Sequence, residues 1–225
     1  DLGFVYNKGG NRKDAEKQYQ KAIDALNPNP NNIAELASAF INKDELKLAI
    51  GTYLKGRELV RNELVFAYEL ADLYYESGMT MEMFGEFLTL VYYDPGQLEE
   101  VQNSLQNKLS RKNEFALLQQ ELLKIIQKSP EKPVFSELLI WHYIQLKDFN
   151  NAIVQCKSLD RRYKEDGYRL LNLSGLCVAN YDFEAAVKAV QLVIEKGPSC
   201  VSYMIARRDL LVIKKKKIEL SYNPS

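Results

Sequence analysis

Apolar side chains recur along this chain at three- and four-residue intervals, in runs separated by Gly, Pro, Asn and Asp, which is the periodicity of amphipathic helices joined by short turns. The stretch from Leu64 to Gln97 shows the pattern. Leu70 and Tyr74 stand four apart and so share one helical stripe, and Ala71 beside them puts a small side chain where a second helix must come close. Gly78 then supplies a residue that takes positive φ without a Cβ clash, and a second helix is predicted through Phe87. Pro95 cannot continue that helix, and Asp94 before it is biased away from the α region, so the pair ends there. LEEVQNSLQNKL and EFALLQQELLKII carry the same spacing farther along. No stretch reads as a strand.

The unit repeats. Leu36, Ala37, Phe40, Ala49, Tyr53 and Gly56 lie 34 residues before their counterparts in the Leu64 stretch, with Pro30 and Asn31 as a helix start. Leu2, Gly3, Tyr6, Gly10, Ala15, Tyr19 and Ala22 give the same order one unit earlier, with Pro28 one place late. This order of Leu, small residue, Tyr, Gly, Ala, Phe and Pro resembles the tetratricopeptide repeat (TPR), a pair of antiparallel helices of about 34 residues. The resemblance implies an all-α, TPR-like α-solenoid wound as a right-handed superhelix, with about 12 helices of roughly 12 to 16 residues plus a C-terminal helix. It implies one domain over residues 1–225, with units at about 1–29, 30–63, 64–97, 98–132 (degenerate), 133–166 and 167–200. Residues 201–220 are expected as a capping helix on the last repeat.

The repeats are unequal. Met83 and Leu90 occupy sites where small residues are usual, and in the fourth unit Leu105, Leu109, Leu118, Leu122 and Ile125 fill the signature sites before Pro130. Helices there are expected to stand farther apart, giving a wider or kinked stack around 98–132, with Ser110 to Asn113 as the turn. Leu139, Tyr143 and Ala152 restore the pattern, followed by Leu173, Ser174, Ala186 and Pro198.

Composition narrows the function classes. With 46% hydrophobic and 27% charged residues the chain reads as folded, and 30 Lys and Arg balance 30 Asp and Glu, so no overall field draws it to nucleic acid or to an anionic membrane. No apolar run approaches the roughly 18 residues of a membrane span. The first unit lacks its opening positions, so the chain is expected to begin inside a helix. The resemblance implies part of a bacterial TPR-repeat protein; the chain reads as soluble with its compartment open, and the start inside a repeat leans toward an exported or periplasmic protein whose targeting segment has been removed.

Chemistry-bearing groups are sparse. Cys156, Cys177 and Cys200 have no CxxC spacing and read as small buried hydrophobes. His142, the single histidine, has no His or Cys at i±3 or i±4, so no metal ligand set is expected. Gly9 and Gly10 lack the GxxxxGK of a phosphate loop and read as an interhelical turn. Lys214 to Lys217 read as a solvated helix end, and the Asn172 to Ser174 sequon falls inside a helix expected to be packed. No catalytic residue and no cofactor is expected.

What remains is a surface. In TPR proteins the first helix of each pair lines a concave groove, and the resemblance places Phe4, Glu35, Tyr68, Glu69, Asp72, Tyr75, Glu100, Asn103, Asn107, Glu137, Trp141, Tyr168 and Asn172 in it. The basic clamp with which some TPRs hold a terminal carboxylate is replaced here by acids. The expected function is a non-enzymatic scaffold that binds a protein or peptide segment with basic and apolar residues. A docking appendage of a larger, possibly enzymatic polypeptide and a self-associating spacer are the alternatives. Packing against neighbouring helices is the alternative role of Trp141 and the tyrosines.

Overall fold

The computed structural model describes the backbone of residues 2–222 and the side chains of residues 2–220. Asp1 and residues 223–225, which the expected domain includes, lie outside them. Among the described residues every regular element is helical, as the periodicity and the TPR resemblance require. None of these helices is long and apolar enough to cross a membrane. The chain divides into two compact units, residues 1–108 and 109–225.

Unit 1 holds α1 (Leu2–Lys8), α2 (Arg12–Asp24), α3 (Pro30–Ile41), α4 (Leu46–Val60), α5 (Ala67–Glu76), α6 (Thr80–Tyr93) and α7 (Leu98–Lys108), with a 3-10 turn at Pro95–Gln97 before α7. Consecutive helices pack as the pairs α1 with α2, α3 with α4 and α5 with α6. Small residues sit at the crossings: Ala15, Ala37, Ala49 and Ala71 are fully enclosed. A methyl group on Gly56 would stand 2.6 Å from Ile33 Cγ2, so α3 and α4 approach as closely as they do only with a glycine there. Tyr19 meets Phe40 edge to face at 5.4 Å between centroids. Arg57 on α4 donates to both carboxylate oxygens of Glu86 on α6 at 2.9 and 2.6 Å, and its Nε donates to the Val65 carbonyl at 2.8 Å.

Punctuation follows the sequence signals. Gly78 takes φ 72° after α5, and Pro30 opens α3 with the Asn29 side chain accepting from the Asn31 amide. Asp94, at φ −128° and ψ 85°, ends α6 and accepts from Gly96 N–H at 3.1 Å. Helix α5 starts only at Ala67, because Asn62 to Phe66 form irregular turns and Phe66 itself sits at φ 62°. That leaves α5 with 10 residues and α7 with 11, short of the expected range, while α8 runs to 17.

Unit 2 holds α8 (Lys112–Lys128), α9 (Pro133–Gln145), α10 (Phe149–Tyr163), α11 (Tyr168–Ala179), α12 (Phe183–Ile194) and α13 (Tyr203–Tyr222). Here α8 packs on α9, α9 on α10, α10 on α11, α11 on α12, and α13 on α12. Helix α8 begins at Lys112, two residues inside the expected Ser110 to Asn113 turn. Its start is held by Glu114, whose carboxylate accepts from Ser110 and Arg111 N–H. The core is built on Leu118, Leu122, Phe135, Leu138, Leu139, Ile153, Ala186 and Ala189. Asp160 is buried on α10, where it accepts from Gly167 N–H at 2.7 Å and pairs with Lys196.

Candidate functional site

The thirteen groove candidates fall on α1, α3, α5, α7, α9 and α11. Phe4 is on α1, Glu35 on α3, Tyr68, Glu69, Asp72 and Tyr75 on α5, and Glu100, Asn103 and Asn107 on α7, all in unit 1. Glu137 and Trp141 on α9 and Tyr168 and Asn172 on α11 belong to unit 2.

Within unit 1, α1, α2 and α3 enclose an open cavity of about 330 Å³ walled by Phe4, Ala22, Leu36 and Phe40, with Lys43 at its rim. The Lys43 ammonium sits 3.6 Å above the Phe4 ring, a close cation–π contact. Ala22, a small residue of the repeat order, is exposed, and its side chain lines this cavity.

Helices α5 and α7 present the acidic part. The Lys108 ammonium pairs with Asp72 at 2.6 Å and lies 5.4 Å from the centre of the Tyr75 ring, so one cation neutralises Asp72 and covers part of Tyr75. Tyr68 donates to Gln97 Oε1 at 3.1 Å and packs its ring on Phe87 at 5.9 Å. Burial, with the negative charges of Glu100 and Asp94 behind it, holds the Tyr68 hydroxyl above its ordinary pKa. Tyr53 is raised the same way, by burial and then by Glu69. Glu35, Glu69 and Glu100 are exposed and form no salt bridge among the described residues. Glu35 and Glu69 are 34 residues apart, on α3 and α5. Asn103 and Asn107 are exposed beside Glu100 on α7.

In unit 2 the acid is spent internally. Arg169 on α11 bonds Glu165 through Nε at 2.9 Å and Nη2 at 2.8 Å, and reaches Glu137 on α9 at 3.1 Å. These contacts, the Glu165 bond foremost, push the Arg169 pKa up. Trp141 is half-buried on α9, Tyr168 is 67% exposed, and Asn172 is exposed on α11. Ser174 is turned inward and donates to the Ala186 carbonyl at 3.1 Å.

The sequence reading named neither Lys108 nor Arg169, although each adjoins a named residue. Nor did it show that the neutral chain is two oppositely charged units. Residues 1–108 carry 11 Lys and Arg against 17 Asp and Glu, and residues 109–225 carry 19 against 13. The units are therefore net −6 and net +6.

The groups with reactive chemistry are enclosed. Cys156, Cys177 and Cys200 are buried and free, and burial pushes the Cys156 and Cys177 thiols up to about 12, where thiolate at neutral pH is negligible. His142 is fully buried between Phe115 and Tyr143, with neither ring nitrogen hydrogen-bonded, and burial lowers its pKa to about 4. No group of three or more potential metal ligands comes together among the described residues.

No protein-family model matches the chain, and no curated protein matches it. Among solved structures it is similar to YrrB, described as a TPR protein with an unusual peptide-binding site, at 14% identity over 84% of this chain and 97% of that one, with a TM-score of 0.36. It is also similar to the TPR domain of P58(IPK), at 13% identity and a TM-score of 0.31. That match takes in 97% of this chain and 64% of the other.

Proposed function

We propose that the chain is a non-enzymatic protein-interaction module, and that unit 1 binds a protein segment carrying both apolar and basic side chains. The observation that carries this reading is the set of exposed carboxylates that form no salt bridge among the described residues, Glu35, Glu69 and Glu100, on α3, α5 and α7 of a unit whose net charge is −6. Exposed acids within a unit of net negative charge raise a field that an incoming Lys or Arg relieves. The cavity beside Phe4 and Leu36 accepts an apolar anchor, and the exposed edge of Tyr75 offers a second apolar contact. Asp72 contributes less to attraction than its sequence position suggests, because Lys108 already holds it, and Glu137 is likewise held by Arg169.

The test is a fluorescence-anisotropy screen of basic-apolar against acidic-apolar peptides, on the parent chain and on Glu69→Gln with Glu100→Gln. Preference for the basic set, weakened in the double variant, supports the reading. Equal affinity for both sets, or preference for the acidic one, refutes it.

A further inference from the structure

Helix α13 has two apolar faces. One, with Ala206 and Ile213 buried, packs against α12. The other points outward: Met204 and Leu211 are each 70% exposed, one heptad apart, with Ile205 and Val212 beside them at 44% and 46%, and Val201 just before the helix at 79%. Arg208 and Lys215 fall between these pairs on the helical wheel, and Arg207 and Lys214 flank them. From Tyr203 to Tyr222 there are six Lys and Arg against Asp209 and Glu219, a net charge of +4; Arg208 pairs with Asp209, Lys215 with Glu219 and Lys217 with Glu184, while Arg207, Lys214 and Lys216 form no salt bridge among the described residues. Isolated exposed apolar residues need no explanation, but two heptad-spaced apolar pairs with cations between them and along one side give an outward face that is both apolar and basic.

The chemistry of this stripe, apolar anchors among Lys and Arg, is the chemistry that unit 1 is read as binding. We propose that a second copy of this chain is a partner of that face: the outward side of α13 of one copy docks on the carboxylate-bearing helices α5 and α7 of unit 1 of another. The proposal rests on the reading of unit 1 given above. Charge complementarity selects this occupant, since net −6 in unit 1 meets a basic helix within the net +6 unit 2 of the neighbour. Because two different surfaces meet, the contact is head-to-tail and each added copy exposes a fresh site, so assemblies grow with concentration.

Sedimentation velocity of the full chain over a concentration series, at low and at high salt, tests this. Mass is expected to rise above the monomer with concentration at low salt and to fall back at high salt, as screening shortens the reach of the charges. Met204→Gln with Leu211→Gln, changes at exposed sites that leave the α12 contact intact, is expected to abolish the rise, and so is Glu69→Gln with Glu100→Gln. Mixing the two variants restores one intact interface and is expected to give a complex that stops at two copies. A mass that stays monomeric throughout overturns the proposal, as does self-association that ignores the unit 1 variant. Binding of α13 to anionic vesicles, lost with Met204→Gln and Leu211→Gln while the chain remains monomeric, also overturns it in favour of a lipid surface. The parent reading is separable: if basic-apolar peptides bind a chain that stays monomeric, the self-docking falls and the unit 1 reading stands. If neither peptide binding nor self-association occurs, both fall.

Discussion

Replacing His142 by leucine should leave the protein at least as stable at pH 7.5 and should remove a pH dependence that the parent shows on the acid side. The imidazole is wholly enclosed and neither nitrogen has a hydrogen-bond partner, so it is held neutral in the fold. Burial lowers its pKa from 6.5 to about 4, and Asp148 opposes that shift only in part. The folded value lies below the unfolded one, so between pH 6.5 and 4 the unfolded chain takes up the proton first, and stability falls as pH falls. The full gap is worth about 3 kcal/mol, and about 2 kcal/mol of it is lost between pH 7.5 and pH 5. Leucine has no titrating group and leaves no unsatisfied N–H, itself a cost of about 1–3 kcal/mol for a buried donor. Urea unfolding of parent and variant at pH 7.5 and pH 5 measures the difference, because carboxylates titrating elsewhere contribute equally to both. If parent and variant lose the same stability over that interval, His142 is not held neutral by burial and the assignment is wrong.

Ala15→Leu is expected to lower the unfolding free energy by roughly 1–3 kcal/mol, since extra methylenes at the enclosed α1–α2 crossing force strain. An unchanged denaturant midpoint would show that Ala15 is no packing contact. Asp160→Ala leaves the Gly167 amide and Lys196 without their buried partner and is expected to cost roughly 1–3 kcal/mol, with Asp160→Asn, which keeps the amide bond, costing less. Thermal unfolding ranks the pair, and equal losses would assign the effect to charge alone. Lys108→Met frees Asp72 and is expected to tighten binding of a basic-apolar peptide to unit 1 while changing stability by less than about 1 kcal/mol, because the carboxylate it leaves is exposed to water. Weaker binding in that variant would make Lys108 a ligand contact.

Local physics is what the sequence displayed well. Asp94 with Pro95, Gly78 and Pro30 each dictate their own backbone, and the spacing of Leu70, Ala71 and Tyr74 fixes a helical face without reference to the rest of the chain. Reading failed where the answer depends on a distant partner. The attachment of Lys108 to Asp72 joins residues 36 apart and that of Arg169 to Glu137 joins residues 32 apart, and neither leaves a local mark. Ala22 illustrates the same limit, since register tells which side of α2 it occupies but not that a cavity lies there. The late start of α5 turns on five residues whose irregular turns, with Phe66 left-handed, no periodicity announces. Opposite unit charges were invisible because they cancel in the total, and only the division at residue 108 separates them.

The measurement that bears most directly on the central claim is the association rate of one basic-apolar peptide with the parent chain and with Glu35→Gln, Glu69→Gln, Glu100→Gln, across a salt series. If exposed carboxylates of unit 1 steer and hold the segment, the parent should associate faster at low salt, its association rate should fall with salt more steeply than its dissociation rate rises, and the triple variant should lose most of that salt dependence. An association rate insensitive to salt, or a triple variant indistinguishable from the parent, would contradict the account.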